Sequence, residues 1–125
     1  MEKKVIATQS APAAVGPYSQ AIRAGGFLFV SGQLGLDPAT GKLVEGVEAQ
    51  AERALENMGA ILAEAGLSFA NVVKATVLLQ SMDDFQKVNA IYAKRFPEQA
   101  PARAAFAVAK LPLGGLVEIE AIAAE

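Results

Sequence analysis

Arg103 opens the segment ARAAFAVAK, in which every residue from Ala104 to Ala109 is apolar and the next charge is Lys110. A guanidinium in such a setting is paired with a carboxylate, exposed at a rim, or free to take an anion. The first case points to Glu118 or Glu120 on the neighbouring strand. The last is a two-toothed grip on a substrate carboxylate, for which the planar fork of arginine is better shaped than lysine. Glu118 and Glu120 alternate with Val117 and Ile119, so both acids leave one face of the last strand. Two such acids can divide acid and base roles, although V-E-I-E is also the ordinary pattern of a strand wet on one side. Asp83 and Asp84 are expected to serve as a helix cap and first-turn charge. Two polar clusters, GPYSQ at 16–20 and SGQ at 31–33, bracket the apolar run FLFV. Tyr18 fits either a core ring or a site. Gly32 gives room for a ligand beside the backbone, with Ser31 as a hydrogen-bond donor or as an ordinary strand end. Asn89 sits in a helical stretch as a surface residue or one reaching back to the site.

Absences narrow the chemistry. The chain has neither His nor Cys, which removes the imidazole base, the thiol nucleophile and nearly every zinc or redox-metal site. Carboxylate, hydroxyl, guanidinium, amine and backbone groups remain, with an all-oxygen Mg²⁺ or Ca²⁺ site as the one metal option. A net charge of −2 with 19% charged residues offers no basic stripe for nucleic acid or an anionic membrane. No apolar run reaches a membrane-spanning length, and MEKKVIATQS lacks a signal-peptide block, so a cytoplasmic protein is expected.

The elements that must position these residues follow from periodicity. At 125 residues, one domain over 1–125 is expected. Strands are predicted at 3–6, 20–24 and 27–31, the last followed by the turn-rich GLDPATGK. Apolar residues from Val47 to Ala65 recur on one helical face, and Gly66 follows as a stop, predicting a helix of about five turns over 46–65. A β-branched strand is expected at 72–79. A second helix opens at Asp83-Asp84 with Phe85, Val88, Ile91 or Tyr92, and Phe96 as its apolar face. Two final strands, at 102–111 and 116–123, are joined by the Pro-Leu-Gly-Gly turn. The order is βββαβαββ, an α+β chain.

Two helices cover one face of such a sheet. Yet the strands are apolar on both alternating sets, Val73, Ala75, Val77 and Leu79 against Val72, Thr76 and Leu78. Another copy of the chain is the simplest cover for the second face, so a homo-oligomer is expected.

GPYSQA, FVSGQLGLDPATG, AERALENMGAILAEAGLS, VVKATVLLQSMDDFQKVNAIY, PARAAFAVAKLP and VEIEAIA, in this order, resemble the RidA/YjgF/UK114 family of reactive-intermediate (imine/enamine) deaminases, and the likeness covers nearly the whole chain. The resemblance implies a chorismate-mutase-like fold, with a mixed sheet carrying both helices on one face, and a trimer whose sheets form a central barrel, with ligand clefts between subunits. It implies hydrolysis of 2-imino acids, such as 2-iminobutanoate and 2-iminopropanoate, to 2-oxo acids and ammonia, with no metal or other cofactor. Carried over by position, Arg103 would hold the substrate carboxylate, Glu118 would position or activate water, and Tyr18, Ser31, Gly32 and Asn89 would line the cleft. The chain departs from a frequent family pattern after the arginine. Ser or Thr is common there, and some members have Cys one residue later, whereas here both are alanine, Ala104 and Ala105, leaving fewer side-chain hydrogen bonds for a ligand. Two other readings are a regulatory trimer that uses Arg103 to bind small carboxylates without turnover, and a chaperone-like or RNA-directed stress protein, against which an acidic chain with few aromatics and no basic stripe argues.

Overall fold

The computed structural model describes residues 2–125. Its frame is a six-stranded mixed sheet with β1 (Lys4–Ile6), β2 (Ala21–Ala24), β3 (Phe27–Leu34), β4 (Val72–Leu79), β5 (Ala102–Ala107) and β6 (Val117–Ala124) in the spatial order β1-β2-β3-β6-β4-β5. β4 and β5 run parallel, and every other neighbouring pair is antiparallel. A parallel pair needs a crossover, which α2 (Phe85–Ala93) supplies between β4 and β5. The longer helix α1 (Val47–Glu64) has 18 residues, the five turns expected. No helix among the described residues is long and apolar enough to cross a membrane.

Leu55, Met58, Ile61 and Leu62 of α1 join Val88, Ile91 and Tyr92 of α2 in one apolar core with Leu28, Val30, Val77, Val117 and Ile119 of the sheet. Both helices therefore cover the same sheet face, and the α+β architecture agrees with the sequence. On the other face, Phe27, Phe29, Val73 and Phe106 are each 45–48% exposed. The two apolar sets of β4 are divided differently from the expected alternation. Its pairing with β6 shifts register between Val72 and Lys74, so Val72 is buried with Ala75, Val77 and Leu79, while Val73 turns outward. A bulge inserts one residue and flips the side chains that follow it, which strict two-residue alternation does not reveal.

The end of the chain departs most from expectation. β5 stops at Ala107, short of 111, because its ladder partner β4 ends at Leu79, opposite Ala107. The two last strands do not pair across the Pro-Leu-Gly-Gly segment. β6 instead enters the sheet between β3 and β4. Pro112–Gly114 forms a 3-10 turn, in which Leu113 takes a φ of 59°. The start of the second helix also differs: Ser81, not Asp83 or Asp84, provides the side-chain cap, its hydroxyl accepting from the Asp83 N–H, and a 3-10 turn at Met82–Asp84 leads into α2. Phe96 lies beyond the helix end but is buried as expected.

Two buried amides on α1 fix the chain around the end of β3. Asn57 Nδ2 donates to the carbonyls of Leu34 (3.2 Å) and Leu36 (2.9 Å). Gln50 donates to the Val44 carbonyl and accepts from the Leu116 N–H just before β6. The approach is close enough that a Cβ at Gly35 would lie 2.5 Å from Gln50 Cα and 2.6 Å from its carbonyl oxygen. These are backbone atoms, which cannot rotate away. Gly35→Ala should therefore cost about 1–3 kcal/mol or more, measured as a lowered midpoint in chemical denaturation. An unchanged midpoint would show that α1 and β3 can separate freely.

Candidate functional site

The two polar clusters around FLFV face each other across the β2–β3 hairpin. Ser31 N–H donates to the Gln20 carbonyl (2.9 Å), and Ser31 Oγ donates to the Ser19 carbonyl at 2.6 Å. The Ser31 hydroxyl proton is thus committed to the backbone, leaving its oxygen to accept rather than to donate to a ligand. Gln20 is also engaged: its amide nitrogen donates to the Thr8 and Pro12 carbonyls, and its oxygen accepts from the Thr8 N–H. That buried amide holds the chain before β2 in place and lets Tyr18 project outward, half exposed.

SGQ is not a strand end. β3 continues to Leu34, and its register with β6 slips between Val30 and Gln33, so Ser31 and Gly32 form a bulge where β3 passes Glu120. Bulges re-aim side chains next to binding sites. Here the freed space is filled from the other strand. A Cβ on Gly32 would lie 2.7 Å from Glu118 Oε2 and 2.9 Å from its Cδ. The glycine accommodates the Glu118 carboxylate. Around these groups is a cavity of about 790 Å³ whose lining includes Tyr18, Ser31, Gly32, Gln33, Glu118 and Glu120. Burial, first, and the Glu120 carboxylate, second, push the Glu118 carboxyl above its ordinary pKa.

Arg103 and Asn89 lie elsewhere. The Arg103 guanidinium donates to Asn89 Oδ1 at 2.7 Å and lies over the rings of Tyr92 (4.8 Å) and Phe85 (5.6 Å). The expected ion pair with Glu118 or Glu120 does not form. β4 stands between β5 and β6, so the strands carrying these charges are not neighbours. The ion pairs among the described residues are Arg23–Glu125, Arg53–Glu56 and Arg95–Glu52, none of them involving Arg103. The faces differ as well. Arg103 pairs with Ala75, whose side chain enters the helix-covered core, whereas Glu118 alternates with core-facing Val117 and Ile119 and so points the other way. Two strand spacings separate their backbones by roughly 10 Å, and the offset along the strand adds about as much again. Within one chain the six expected residues thus form two groups: Tyr18, Ser31, Gly32 and Glu118 around the cavity, Asn89 and Arg103 on the α2 side of edge strand β5. Phe85 and Tyr92, beside Arg103, are expected from the sequence only as part of the second helix's apolar face, not as site residues. Their signal was the spacing of Phe85, Asn89 and Tyr92, one face of a helix.

The family model described as Endoribonuclease L-PSP matches residues 8–125. The chain belongs to this family, that of RidA and YjgF. Within the L-PSP family it is 56% identical over 124 residues to a bovine protein named 2-iminobutanoate/2-iminopropanoate deaminase, the match covering 98% of this chain and 90% of the bovine one. It is 52% identical to the RutC family protein PH0854 of Pyrococcus horikoshii, over 97% of both chains. Among solved structures, RidA from an Antarctic Psychrobacter superimposes with a TM-score of 0.95 at 49% identity, covering 98% of this chain and 99% of that one. Escherichia coli TdcF, crystallised with bound serine, gives a TM-score of 0.93 at 43% identity, with 98% of each chain covered.

The raised pKa of Glu118 has a consequence for stability. Its folded value lies above the ordinary 4.5, so folding favours the protonated acid. That stabilisation is complete below the unfolded pKa and is lost as pH rises through the folded one. Glu118→Gln copies the neutral form. Its Tm relative to wild type should therefore rise between pH 4 and pH 7 in thermal melts, and a falling difference would mean that the native state favours the charged carboxylate.

Proposed function

We propose that the chain is a 2-iminobutanoate/2-iminopropanoate deaminase, working as a homotrimer whose sites combine the Tyr18–Glu118 cavity of one copy with Arg103 and Asn89 of the next. The observation that carries this reading is the Arg103 guanidinium, ordered by Asn89 and two rings yet unpaired with a carboxylate among the described residues. A fork held so is prepared for an anion such as the carboxylate of a 2-imino acid. The bovine relative's name supplies the substrate class. The cytoplasm is the proposed compartment, with which a composition without cysteine agrees as it would with any other.

The reaction asks little of the protein beyond placement. An imine carbon is already electrophilic, particularly with its nitrogen protonated, and a carboxylate fixed on Arg103 aligns it with a water held in the cavity. As the water oxygen bonds to C2 of the imine protonated on nitrogen, the C=N pair moves to nitrogen and Glu118 takes a proton from the water. The resulting carbinolamine then loses its C–N bond. Nitrogen leaves as ammonia with the proton returned by Glu118, and the hydroxyl gives its own proton to solvent water as the carbonyl of the 2-oxo acid forms. A carboxyl raised by burial and by Glu120 is nearer the working pH, where it both takes and returns a proton. The reading requires neither metal nor cofactor.

The need for more than one copy has two supports. Arg103 and Glu118 lie on opposite sheet faces of one chain, too far apart to act on the same carbon. The uncovered face exposes Phe27, Phe29, Val73 and Phe106, and Val15 and Leu113, which line the cavity, are also exposed. Apolar surface of that kind is covered in stable oligomers. Three is the number that the family resemblance implies. Light scattering after gel filtration should accordingly give the mass of three chains, and a stable monomer at micromolar concentration would remove the shared site.

Activity is tested by the release of ammonia and 2-oxo acid from an imine generated enzymatically. Arg103→Ala should fold, lose turnover and lose 2-oxo acid binding, while Arg103→Lys recovers little. Glu118→Gln should keep 2-oxo acid binding and lose turnover by roughly 10²–10⁴-fold. Refolding the Arg103→Ala and Glu118→Gln chains together should restore activity at roughly a quarter of the sites by random assortment, and no recovery would place both groups in one chain's site. Binding of 2-oxo acid by the wild type without imine hydrolysis would favour the regulatory reading instead. RNA cleavage without imine hydrolysis would favour the activity named in the family's description.

A further inference from the structure

Phe85, Asn89 and Tyr92 line one side of α2, and all three meet Arg103: Asn89 by a 2.7 Å hydrogen bond, Tyr92 with its ring centroid 4.8 Å from the guanidinium carbon, Phe85 at 5.6 Å. The contact does not stop at Tyr92. Its ring lies 4.6 Å from that of Phe96, tilted by 39°, and Phe96 meets Phe69 nearly edge-on at 5.4 Å and 89°. Phe69 carries the Arg95 guanidinium at 5.5 Å, and Arg95 pairs with Glu52 of α1. Gly59 of α1 lets the helix approach the row, since a Cβ there would lie 3.1 Å from the Phe69 ring. Three aromatic rings thus run from the Arg95–Glu52 ion pair, which ties the chain after α2 to α1, to the arginine on edge strand β5.

We propose that this row is the positioning device of Arg103, with Tyr92 as the residue that sets the plane of its guanidinium. The proposal rests on Arg103 being the anion-binding group argued above. An arginine on an exposed strand edge has many rotamers, and Asn89 alone fixes one donor without fixing the plane. A flat ring beneath the guanidinium restricts it to orientations parallel or edge-on to that ring, so its other N–H groups stay directed outward as a fork. Tyr92 can do this because it is itself immobilised: 5% exposed and packed on Phe96. Its face, not its hydroxyl, is the working part. The hydroxyl is buried without a hydrogen-bond partner among the described residues, and burial pushes its pKa up although Arg103 opposes this, so it remains neutral.

The first readout needs no activity. In ligand-free protein, NMR relaxation of the Arg103 Nε–Hε group should report an ordered side chain in wild type and Tyr92→Phe, and a mobile one in Tyr92→Leu. The second uses pyruvate as probe. Tyr92→Leu should weaken pyruvate binding and raise the imine KM by about 3- to 30-fold, with kcat within about two-fold because the group that moves protons is untouched. Tyr92→Phe should stay within about two-fold of wild type in each. Against an Arg103→Lys background, where no plane remains to be set, Tyr92→Leu should add little further loss. Should Tyr92→Leu fail to fold, Phe96→Leu tests the same row one ring farther away, with the same signs and smaller size. A Tyr92→Phe variant as impaired as Tyr92→Leu, an Arg103 side chain equally ordered in both, or a kcat loss at constant KM would overturn the proposal. A wild type with an ordered Arg103 that binds no pyruvate would instead overturn the deaminase reading and leave the positioning intact.

Discussion

β6 is hydrogen-bonded on both sides, to β3 through Phe27–Leu34 and to β4 through Val72–Leu79, and the arrangement of chemistry in this molecule depends on that insertion. A central strand has its backbone groups satisfied by two ladders and its register locked by both. Glu118 therefore cannot slide or turn. It is held opposite Leu34 and Leu78, between core-facing Val117 and Ile119, on the face away from the helices. The same insertion pushes β4 and β5 outward and leaves Arg103 on an edge. Had the last two strands paired as a hairpin, the strands carrying Arg103 and the acids would have lain side by side. β6 separates them.

The two polar groups are then prepared in different ways. Glu118 is shaped by exclusion of water and by a like charge: a glycine in a bulge gives its carboxylate room, and burial with Glu120 raises its pKa. Both effects make a carboxyl that gives and takes protons more easily at neutral pH. Arg103 stays at the surface, where its charge is cheaply hydrated, and is ordered by a ring and an amide oxygen rather than by a counter-charge. A carboxylate partner would have ordered it as well, but would have competed with any anionic ligand. Aromatic support fixes geometry without occupying the fork's electrostatic valence.

Both halves point to the surface of a single chain as an unfinished object. The exposed phenylalanines of the uncovered sheet face and the apolar residues around the Tyr18–Glu118 cavity are costly to leave in water. Cover by further copies would bury them and, in the trimer proposed, bring one copy's arginine to another copy's acid. Assembly and catalysis would then share one driving force, the burial of apolar surface, and a separated chain would lose both together.

Much of this was already written in the residue pattern. The α1 periodicity, the β-branched run of β4, the turn residues and the ordered motifs determined the element order and family, because these depend on local repetition and on short segments whose meaning survives out of context. The absence of His and Cys determined which reactive groups were available. The polarity of GPYSQ and SGQ marked the cavity wall, and the alternation in VEIE put both acids on one face. What tertiary structure decided was adjacency. No local pattern says that β6 enters between β3 and β4, so Arg103 looked like a neighbour of Glu118 when it is two strands away on the opposite face. No alternation count reveals the one-residue slips at Val30–Gln33 and Val72–Lys74, which bring Gly32 against the Glu118 carboxylate and turn Val73 outward. The row from Phe69 through Phe96 and Tyr92 to Arg103 joins residues from three separate segments. Contacts of that kind are made by packing between elements, and a linear sequence holds the residues without stating which of them will meet.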